Sequence, residues 1–194
     1  RDTWFQLGDR DLATHVERTQ RLQSGENLSE ITEYFRRTFG IGAKIIPATD
    51  DHLRTIVETD IGVLNFQEYF VRERCKPRIQ NLHFQGSESA FPLKELTKAL
   101  KNKDLLSIIF CPSNPLLSID PILSIQGLKK EFADSGAKIL AVTPIVGGAA
   151  IKGPAAKNLR ELGYPVSATT VAEHYQGLIQ GFVLDKRDHQ EAQQ

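Results

Sequence analysis

The spacing of apolar residues divides the chain into a helical N-terminal stretch, a middle stretch of short strands and a C-terminal stretch in which strands and helices alternate. In the first stretch apolar residues recur every three or four positions, which predicts two amphipathic helices that end at Ser24-Gly25 and at Gly40. From Lys44 onward the period changes to that of strands, and Asp60-Ile61-Gly62 predicts a hairpin turn between two of them. The predicted helices cover residues 12–22 and 28–39, and the predicted strands cover residues 4–7, 45–46, 53–57, 64–71 and 79–84.

The C-terminal stretch repeats the order strand, turn, helix, which is typical of a parallel α/β sheet. The predicted strands cover residues 105–110, 138–142 and 182–184, and the predicted helices cover residues 92–100, 119–132, 154–162 and 171–178. We expect the apolar strand at 105–110 to be buried. The predicted fold class is α/β: a Rossmann-like parallel sheet with helices on both faces and a small antiparallel and helical insertion.

The domain organisation predicted from these elements is one incomplete α/β domain over residues 1–194. A helical hairpin and antiparallel sub-domain covers about residues 12–86, and a parallel α/β part with a nucleotide site covers about residues 92–185. The polar tail from Lys186 is expected to fray. Because the chain has no methionine and opens within a predicted strand, we expect a fragment whose natural N-terminus lies upstream.

The turn PSNPLLSIDP at residues 112–121 follows the strand predicted at 105–110 and carries small hydrogen-bonding side chains. Ser113, Asn114 and Ser118 can each donate a hydrogen bond, and the helix predicted after them would point free N–H groups at the same place. These residue types are also good turn formers, so a turn without a ligand is the alternative interpretation.

A second turn, TPIVGGAAIKGP, follows the strand predicted at 138–142. Gly147 and Gly148 allow a ligand to approach the backbone closely, and Lys152 can pair with a phosphate. Neighbouring turns of this kind mark the carboxyl edge of a parallel sheet, where α/β proteins usually bind ligands. Neither a Walker A pattern nor a GxGxxG fingerprint is present in the sequence.

Composition argues against nucleic-acid-binding, membrane and disulfide-rich proteins. The 24 basic and 24 acidic residues cancel, so we expect no nucleic-acid partner and no membrane partner. Two cysteines, Cys75 and Cys111, make neither a disulfide framework nor a metal site. No apolar run reaches the roughly 20 residues that span a bilayer, and we expect a cytoplasmic protein.

Other charged residues allow two interpretations each. The GDRD turn at residues 8–11 is expected to cap a helix through Asp9 or Asp11, or to hold a metal or a substrate hydroxyl group. Asp50-Asp51 is expected to form a turn rather than a ligand site. In FQEYFVRERC, residues 66–75, alternation predicts one buried face, with Arg72 or Arg74 available to an anion. His15 and His174 are expected to lie in helices without a catalytic or metal-ligating neighbour.

Five strings, taken together, resemble the 2-phospho-L-lactate transferases of deazaflavin coenzyme F-420 biosynthesis. They are LGDRDLATH, FQEYFVRERCKP, PSNPLLSIDPIL, PIVGGAAIKGPAAK and ELGYPVSATTVAEHY, in this order along nearly the whole chain. The resemblance implies a transferase that moves a phospholactyl or phosphoenolpyruvyl group from a diphosphoguanosine donor to the ribityl hydroxyl of a deazaflavin, with release of GMP. It also implies a magnesium cofactor and a homodimer.

The same resemblance assigns site residues. The guanosine diphosphate donor is expected at the turn residues Ser113, Asn114, Ser118, Gly147, Gly148 and Lys152, and the deazaflavin at Gln6 and Asp9. Family members begin with a strand, a Gly-rich turn and aspartates that are absent here, so metal ligands and a general base are not expected in this fragment. They also continue beyond FVLD, and we expect the fragment alone to be inactive.

Two other functions compete with the transferase. One is a non-catalytic regulator that binds a nucleotide or nucleotide-sugar, similar to the gluconeogenesis-factor-like proteins of the same fold; FQEYFVRERC together with GDRD favours the transferase. The other is a nicotinamide oxidoreductase, which the absence of a fingerprint turn disfavours.

Overall fold

A helical hairpin, an antiparallel sheet and a parallel sheet follow one another along the chain. The computed structural model describes residues 6–193. Its α-helices are α1 (Asp9–Gln23), α2 (Leu28–Thr38), α3 (Lys94–Leu100), α4 (Asp120–Leu123), α5 (Leu128–Ala133), α6 (Ala155–Glu161) and α7 (Ala168–His174). Its strands are β1 (Arg54–Thr59), β2 (Gly62–Asn65), β3 (Ile79–Gln85), β4 (Ser107–Phe110), β5 (Lys138–Val142), β6 (Ile145–Val146), β7 (Ala149–Ala150) and β8 (Gly181–Val183). Two π-helical turns cover Glu68–Arg72 and Pro115–Ile119, and a 3-10 segment covers Lys186–Gln193.

The helical hairpin confirms the two helices predicted from the 3.6-residue period. Gly25 and Gly40 follow them with φ of +93° and +65°, the left-handed conformation that glycine adopts easily at helix ends. The predicted cap by Asp9 or Asp11 is wrong. Gly8 is the residue before α1, and both carboxylates lie in the first turn, where negative charge favours the helix dipole. The strand predicted at residues 4–7 lies partly outside the described residues, and Gln6 and Leu7 belong to no strand.

The antiparallel sheet has the order β2-β1-β3. Val57 in the central strand pairs with Leu64 on one side and Leu82 on the other, and it is fully buried. The hairpin turn predicted at Asp60-Ile61-Gly62 joins β1 to β2 as expected. The short strand predicted at residues 45–46 is wrong, since this segment forms no strand and leaves Ile45 exposed.

The FQEYFVRERC string is helical where alternation predicted a strand. The Glu68 carboxylate accepts hydrogen bonds from the Asn65 N–H at 3.0 Å and the Asn65 amide at 3.1 Å, which ties the helical turn to the end of β2. Phe66 and Phe70 stack with ring centroids 5.3 Å apart, a contact that needs helical spacing. Only Tyr69 of the helical turn is buried, so the predicted buried face of a strand does not exist.

The parallel sheet has the order β4-β5-β8, and its central strand β5 begins and ends where predicted. Phe110 at the end of β4 packs edge-on against Phe132 and Tyr175, with ring centroids 5.6 and 5.5 Å apart. The prediction that residues 105–110 are buried is wrong in part. Within the described residues β4 pairs with β5 only, and Leu106 and Ile109 are 86% and 58% exposed.

The helix predicted at residues 119–132 is interrupted. The π-helical turn is followed directly by α4, which ends at Leu123. The next helix, α5, begins only after Gly127. Gly127 has a φ of +77°, so the chain reverses there instead of continuing one helix. The last predicted helix also starts earlier, because the Ser167 hydroxyl accepts a hydrogen bond from the Thr170 N–H and caps α7.

The polar tail is ordered rather than frayed. Asp188 is buried, and the Glu191 carboxylate accepts hydrogen bonds from the N–H and hydroxyl of Thr169 at 2.8 and 3.1 Å. These bonds fix the 3-10 segment to the N-terminus of α7, where an anion is favourable. None of the described helices is long and apolar enough to cross a membrane.

Candidate functional site

The carboxyl edge of the parallel sheet brings together the segments that follow β4, β5 and β8. The PSNP turn leaves β4 at Phe110, the TPIVGG turn leaves β5 at Val142, and the 3-10 segment follows β8. Asp188 of that segment accepts hydrogen bonds from the Gly147 N–H through both carboxylate oxygens, at 2.9 and 3.1 Å. The two turns predicted to form a site therefore lie at the edge where ligands bind in α/β proteins.

Asn114 organises the PSNP turn. Its side-chain oxygen accepts hydrogen bonds from the N–H groups of Leu116 and Leu117, at 3.1 and 3.3 Å, and so caps the π-helical turn that starts at Pro115. Its side-chain nitrogen donates to Asn158 Oδ1 in α6 at 2.8 Å. Both ends of the Asn114 amide are thus engaged within the protein.

A buried polar chain continues from Asn158 to the FQEYFVRERC string. Asn158 Nδ2 donates to the Tyr69 hydroxyl oxygen at 3.0 Å, and both residues have no exposed surface. The three partners come from segments separated by 44 and 89 residues along the sequence. Buried polar groups of this kind are retained only where each finds a partner, which these three do.

The surroundings of Tyr69 hold its ring in place independently of the hydroxyl. Tyr69 packs in one apolar cluster with Val57, Ile79 and Leu117. Lys157 Nζ lies 5.8 Å from the ring centroid and donates to the Glu161 carboxylate at 2.6 Å. Burial raises the pKa of the Tyr69 hydroxyl well above its ordinary value of 10.0, so the hydroxyl stays protonated.

The end of the FQEYFVRERC string has an unusual backbone. Arg74 and Cys75 have φ of +52° and +55°, a left-handed conformation that costs free energy in residues other than glycine. The Cys75 N–H donates to the Tyr69 carbonyl oxygen at 2.9 Å, and burial raises the pKa of the Cys75 thiol. The strained pair turns the chain back beside Tyr69.

Two hydroxyl groups of the PSNP turn are available to a ligand. Within residues 6–193 neither Ser113 nor Ser118 uses its hydroxyl in a hydrogen bond. Ser118 also lines a cleft of about 290 Å³ between this turn and the antiparallel sheet. The other lining residues include Arg54, Asn65, Phe66, Gln67 and Leu117. Ser118, Arg54 and Phe66 therefore line the same cleft.

The TPIVGG turn is a tight hairpin. β6 and β7 pair through Val146 and Ala149, which leaves Gly147 and Gly148 as a two-residue loop with φ of +59° and +72°. Positive φ at both positions is what a type I′ turn requires, so the hairpin by itself explains the two glycines. Lys152 is exposed and makes no hydrogen bond or ion pair among the residues that the structure describes.

The residues predicted for the deazaflavin lie elsewhere. Gln6 and Asp9 are exposed at the start of α1, and no hydrogen bond joins them to the donor residues within the described chain. Asp50 has a structural role, as expected of a turn: its carboxylate accepts hydrogen bonds from the N–H and hydroxyl of Ser29, both at 2.7 Å, at the start of α2.

A metal-binding set is absent from the described part of the chain. No group of three or more His, Cys, Asp or Glu side chains suited to a metal ion occurs there. Magnesium stays a prediction, because the sequence analysis assigned no residue of this chain as its ligand.

His174 has a partner that sequence reasoning did not predict. His174 Nε2 lies 2.7 Å from Asp120 Oδ1, and each side chain is about one quarter exposed. The pair joins α7 to α4 beside a cavity of about 260 Å³ whose lining includes Ser124 and Lys129. The expectation that His174 has no catalytic or metal-ligating role stays a prediction, and its contact with Asp120 is what the sequence did not indicate.

Sequence reasoning also missed Tyr69, Asn158 and Asp188. For Asn158 a signal was present: it shares the Ala155–Leu159 face of α6 and is the one polar residue there, so burial of that face predicts a bonded amide. Asp188 was missed because the polar segment that contains it was predicted to fray. Tyr69 was missed because its segment was predicted to be a strand and is helical.

The chain matches the protein-family model described as 2-phospho-L-lactate transferase CofD over residues 2–194. It is 38% identical over 184 residues to the 2-phospho-L-lactate transferase of Methanosarcina acetivorans and 39% identical over 190 residues to the phosphoenolpyruvate transferase of Streptomyces coelicolor. Each match covers 95% of this chain and 59% of the relative. The 2-phospho-L-lactate transferase of Methanocaldococcus jannaschii is 34% identical, over 100% of this chain and 62% of its own length. The chain thus spans about three fifths of these curated relatives.

Solved structures show the same fold. Two crystal structures of a Bacillus halodurans protein, one described as a member of the upf0052 family, superpose with TM-scores of 0.56 and 0.58 at 14% identity. Each superposition covers 84% of this chain and 49% of the other. At this identity the likeness concerns the fold alone, and it confirms the predicted α/β class.

Proposed function

Because the chain belongs to the 2-phospho-L-lactate transferase family, we propose that its full-length protein transfers a phospholactyl or phosphoenolpyruvyl group to a deazaflavin. The donor is a guanosine diphosphate carrying the three-carbon acid, and the acceptor is the ribityl hydroxyl. The observation that carries the proposal is the PSNP turn at the carboxyl edge, which lies within the residues matched by the family model and keeps two hydroxyl donors free.

The proposed reaction is an in-line displacement at phosphorus. The ribityl oxygen forms a bond to the phosphorus that carries the acid, the bond from that phosphorus to the bridging oxygen breaks, and GMP leaves with the electron pair. The proton of the hydroxyl passes to solvent or to a base that the described residues do not identify. Such transfers depend mainly on positioning and on donors that stabilise charge on the phosphoryl oxygens.

The described residues supply positioning and hydrogen-bond donors. In the proposal the Ser113 and Ser118 hydroxyls donate to the donor diphosphate, and Asn114 holds the turn in shape through its two accepted N–H bonds. Gly147, Gly148 and Lys152 line the neighbouring turn, where the Gly147 N–H is bonded to Asp188. Gln6 and Asp9 are proposed for the deazaflavin.

Cofactor, assembly and location are proposals for the full-length protein. We propose a magnesium-dependent homodimer, in line with what the resemblance implies, and a cytoplasmic location, in line with the composition of the chain. Chelation of magnesium in the full-length protein should abolish transfer, because phosphoryl transfer depends on neutralising the charge of the phosphate oxygens.

Nucleotide titration of the full-length protein tests the proposal. We expect GDP to bind more tightly than ADP or UDP, and the double variant S113A/S118A to weaken GDP binding by about tenfold through loss of two donors. The matched control is S87A, because Ser87 lies in the turn after β3 and its hydroxyl contacts only Glu88. Equal affinity for GDP and ADP, or an unchanged affinity in the double variant, would contradict the proposal.

A further inference from the structure

We infer that Tyr69 and Asn158 are positioning residues for the nucleotide turn, and that they act on the donor through Asn114. The inference rests on the proposed function, because it specifies how that same site is shaped. It changes the role of Asn114 as well, from a residue that touches the nucleotide to the last link of a buried relay.

The relay has a direction that its donors and acceptors fix. An amide side chain has one accepting end and one donating end. Asn158 Nδ2 donates to the Tyr69 hydroxyl at 3.0 Å, which turns Asn158 Oδ1 towards Asn114. Asn114 Nδ2 donates to that oxygen at 2.8 Å, which leaves Asn114 Oδ1 for the N–H groups of Leu116 and Leu117. The Leu116 and Leu117 N–H groups can only donate, so they fix the orientation of the Asn114 amide, and the Tyr69 hydroxyl completes the chain as the acceptor for Asn158.

Burial makes this one orientation of the Asn158 amide strongly favoured. Asn158 and Tyr69 have no exposed surface, so water cannot replace a lost partner. A flipped Asn158 amide would place its NH₂ group against the NH₂ group of Asn114 and leave donors unsatisfied in a low dielectric. The described chain has no buried side-chain nitrogen or oxygen without a partner, which agrees with one fixed orientation.

The residues set by the relay are those that face the ligand. Asn114 separates Ser113 from the π-helical turn, and the Ser118 N–H donates to the Asn114 carbonyl oxygen at 2.9 Å. Displacement of Asn114 thus moves both free hydroxyls together. A change at Tyr69, which lies in the FQEYFVRERC string 45 positions before Asn114, reaches the donor site through this path.

Removal of the Tyr69 hydroxyl isolates the relay. In Tyr69→Phe the ring keeps its packing against Val57, Ile79 and Leu117. The variant loses the acceptor for Asn158 Nδ2 and the hydrogen bond between the Tyr69 hydroxyl and the Cys75 thiol. We expect the Kd for GDP and the KM for the guanosine donor to rise by about five- to fiftyfold, while the KM for the deazaflavin stays within twofold. Tyr175→Phe is the matched control, since Tyr175 is also buried but its hydroxyl takes no part in the relay.

A double-variant cycle separates positioning from stability. Asn114→Ala alone should weaken GDP binding, and Tyr69→Phe added to it should cause no further loss, because the path is already cut. A merely structural tyrosine would lower stability without this non-additivity. Losses that multiply in the double variant, or an unchanged Kd in Tyr69→Phe, would overturn the inference.

A ligand-free readout keeps this inference distinct from the proposed function. In ¹⁵N-labelled protein the Asn114 side-chain NH₂ should be protected from hydrogen exchange in the parent and in Tyr175→Phe, and lose protection in Tyr69→Phe. Retained protection in Tyr69→Phe would overturn the relay whether or not the protein binds GDP. A protein that shows the relay but neither binds GDP nor transfers would instead contradict the proposed function alone.

Discussion

Asn114 and the two serines of the same turn differ in how their side chains are hydrogen-bonded. The Asn114 amide is bonded at both ends inside the protein, whereas the hydroxyls of Ser113 and Ser118 make no hydrogen bond within residues 6–193. A side chain that is fully bonded inward shapes a site, and one that is unbonded and accessible is available to contact a ligand. The three polar residues of the turn therefore have two different roles.

Buried tyrosine hydroxyls make the protein sensitive to alkaline pH. Burial raises the pKa of Tyr69 and of Tyr175 above the ordinary value of 10.0. The unfolded chain releases these protons first, so the contribution of the two tyrosines to the free energy of unfolding is fully present below pH 10 and is lost as pH rises towards their folded-state pKa values. Each tyrosine should contribute a slope of about 1.4 kcal/mol per pH unit in that range.

Urea unfolding between pH 9 and pH 11 measures this slope. The Cys75 thiol, whose pKa burial also raises from 9.0, adds a decline of the same sign from a lower pH. Tyr175→Phe should therefore reduce the slope above pH 10 and leave the part due to Cys75 unchanged. The same slope in the parent and in the variant would show that the Tyr175 hydroxyl titrates normally in the fold.

At the scale of elements, local patterns predicted most of the regular structure. The helical hairpin, the β1–β2 hairpin, β3 and β5 follow from periodicity and from glycine at the turns. The failures have local causes that periodicity does not contain: the hydrogen bonds of Glu68 and the Phe66–Phe70 stack accompany a π-helical turn, and Gly127 divides a predicted helix. Hydrogen bonds, an aromatic contact and one backbone angle override the apolar pattern there.

Gly86 closes the antiparallel sheet and should not tolerate a side chain. A Cβ at this position would lie 2.2 Å from the His52 carbonyl oxygen, a backbone atom that can move only with the chain before β1. Gly25 has the same φ of +93° but open space around it, so it is the matched control. We expect G25A to lower the free energy of unfolding by about 1–2 kcal/mol and G86A by at least about 3 kcal/mol.

Thermal or urea denaturation of the two variants checks the prediction. Equal losses of stability in G86A and G25A would mean that the positive φ alone matters, and that the close approach to His52 carries no cost. A larger loss in G86A would place the end of β3 and the start of β1 in one rigid corner.

At the scale of the whole molecule, the antiparallel and parallel parts are joined by apolar and polar contacts. Leu82 and Leu162 pack against both apolar clusters, and the Asn114–Asn158–Tyr69 chain crosses from one part to the other. The cleft of about 290 Å³ lies along the same junction. The candidate site thus lies where the two parts of the chain meet.

The location of the candidate site was predictable from the sequence, and the hydrogen bonds that shape it were not. Strand-turn-helix order placed Ser113, Asn114 and Ser118 at the carboxyl edge of the sheet, because parallel strands bring their carboxyl ends together. Asn158 lies 44 positions after Asn114, and Tyr69 lies 89 positions before Asn158. Their contact depends on how α6 and the π-helical turn pack, which no short-range pattern contains.

The most direct test of the proposed function is a transfer assay on the full-length protein. The protein is incubated with magnesium, the deazaflavin and each of the two guanosine donors in turn, and products are followed by mass spectrometry. We predict equal amounts of GMP and of deazaflavin carrying the phospho-acid, formed with one donor, which also identifies the acid. Absence of product with both donors, from a protein that binds GDP, would contradict the transferase and leave a nucleotide-binding regulator as the function of this fold.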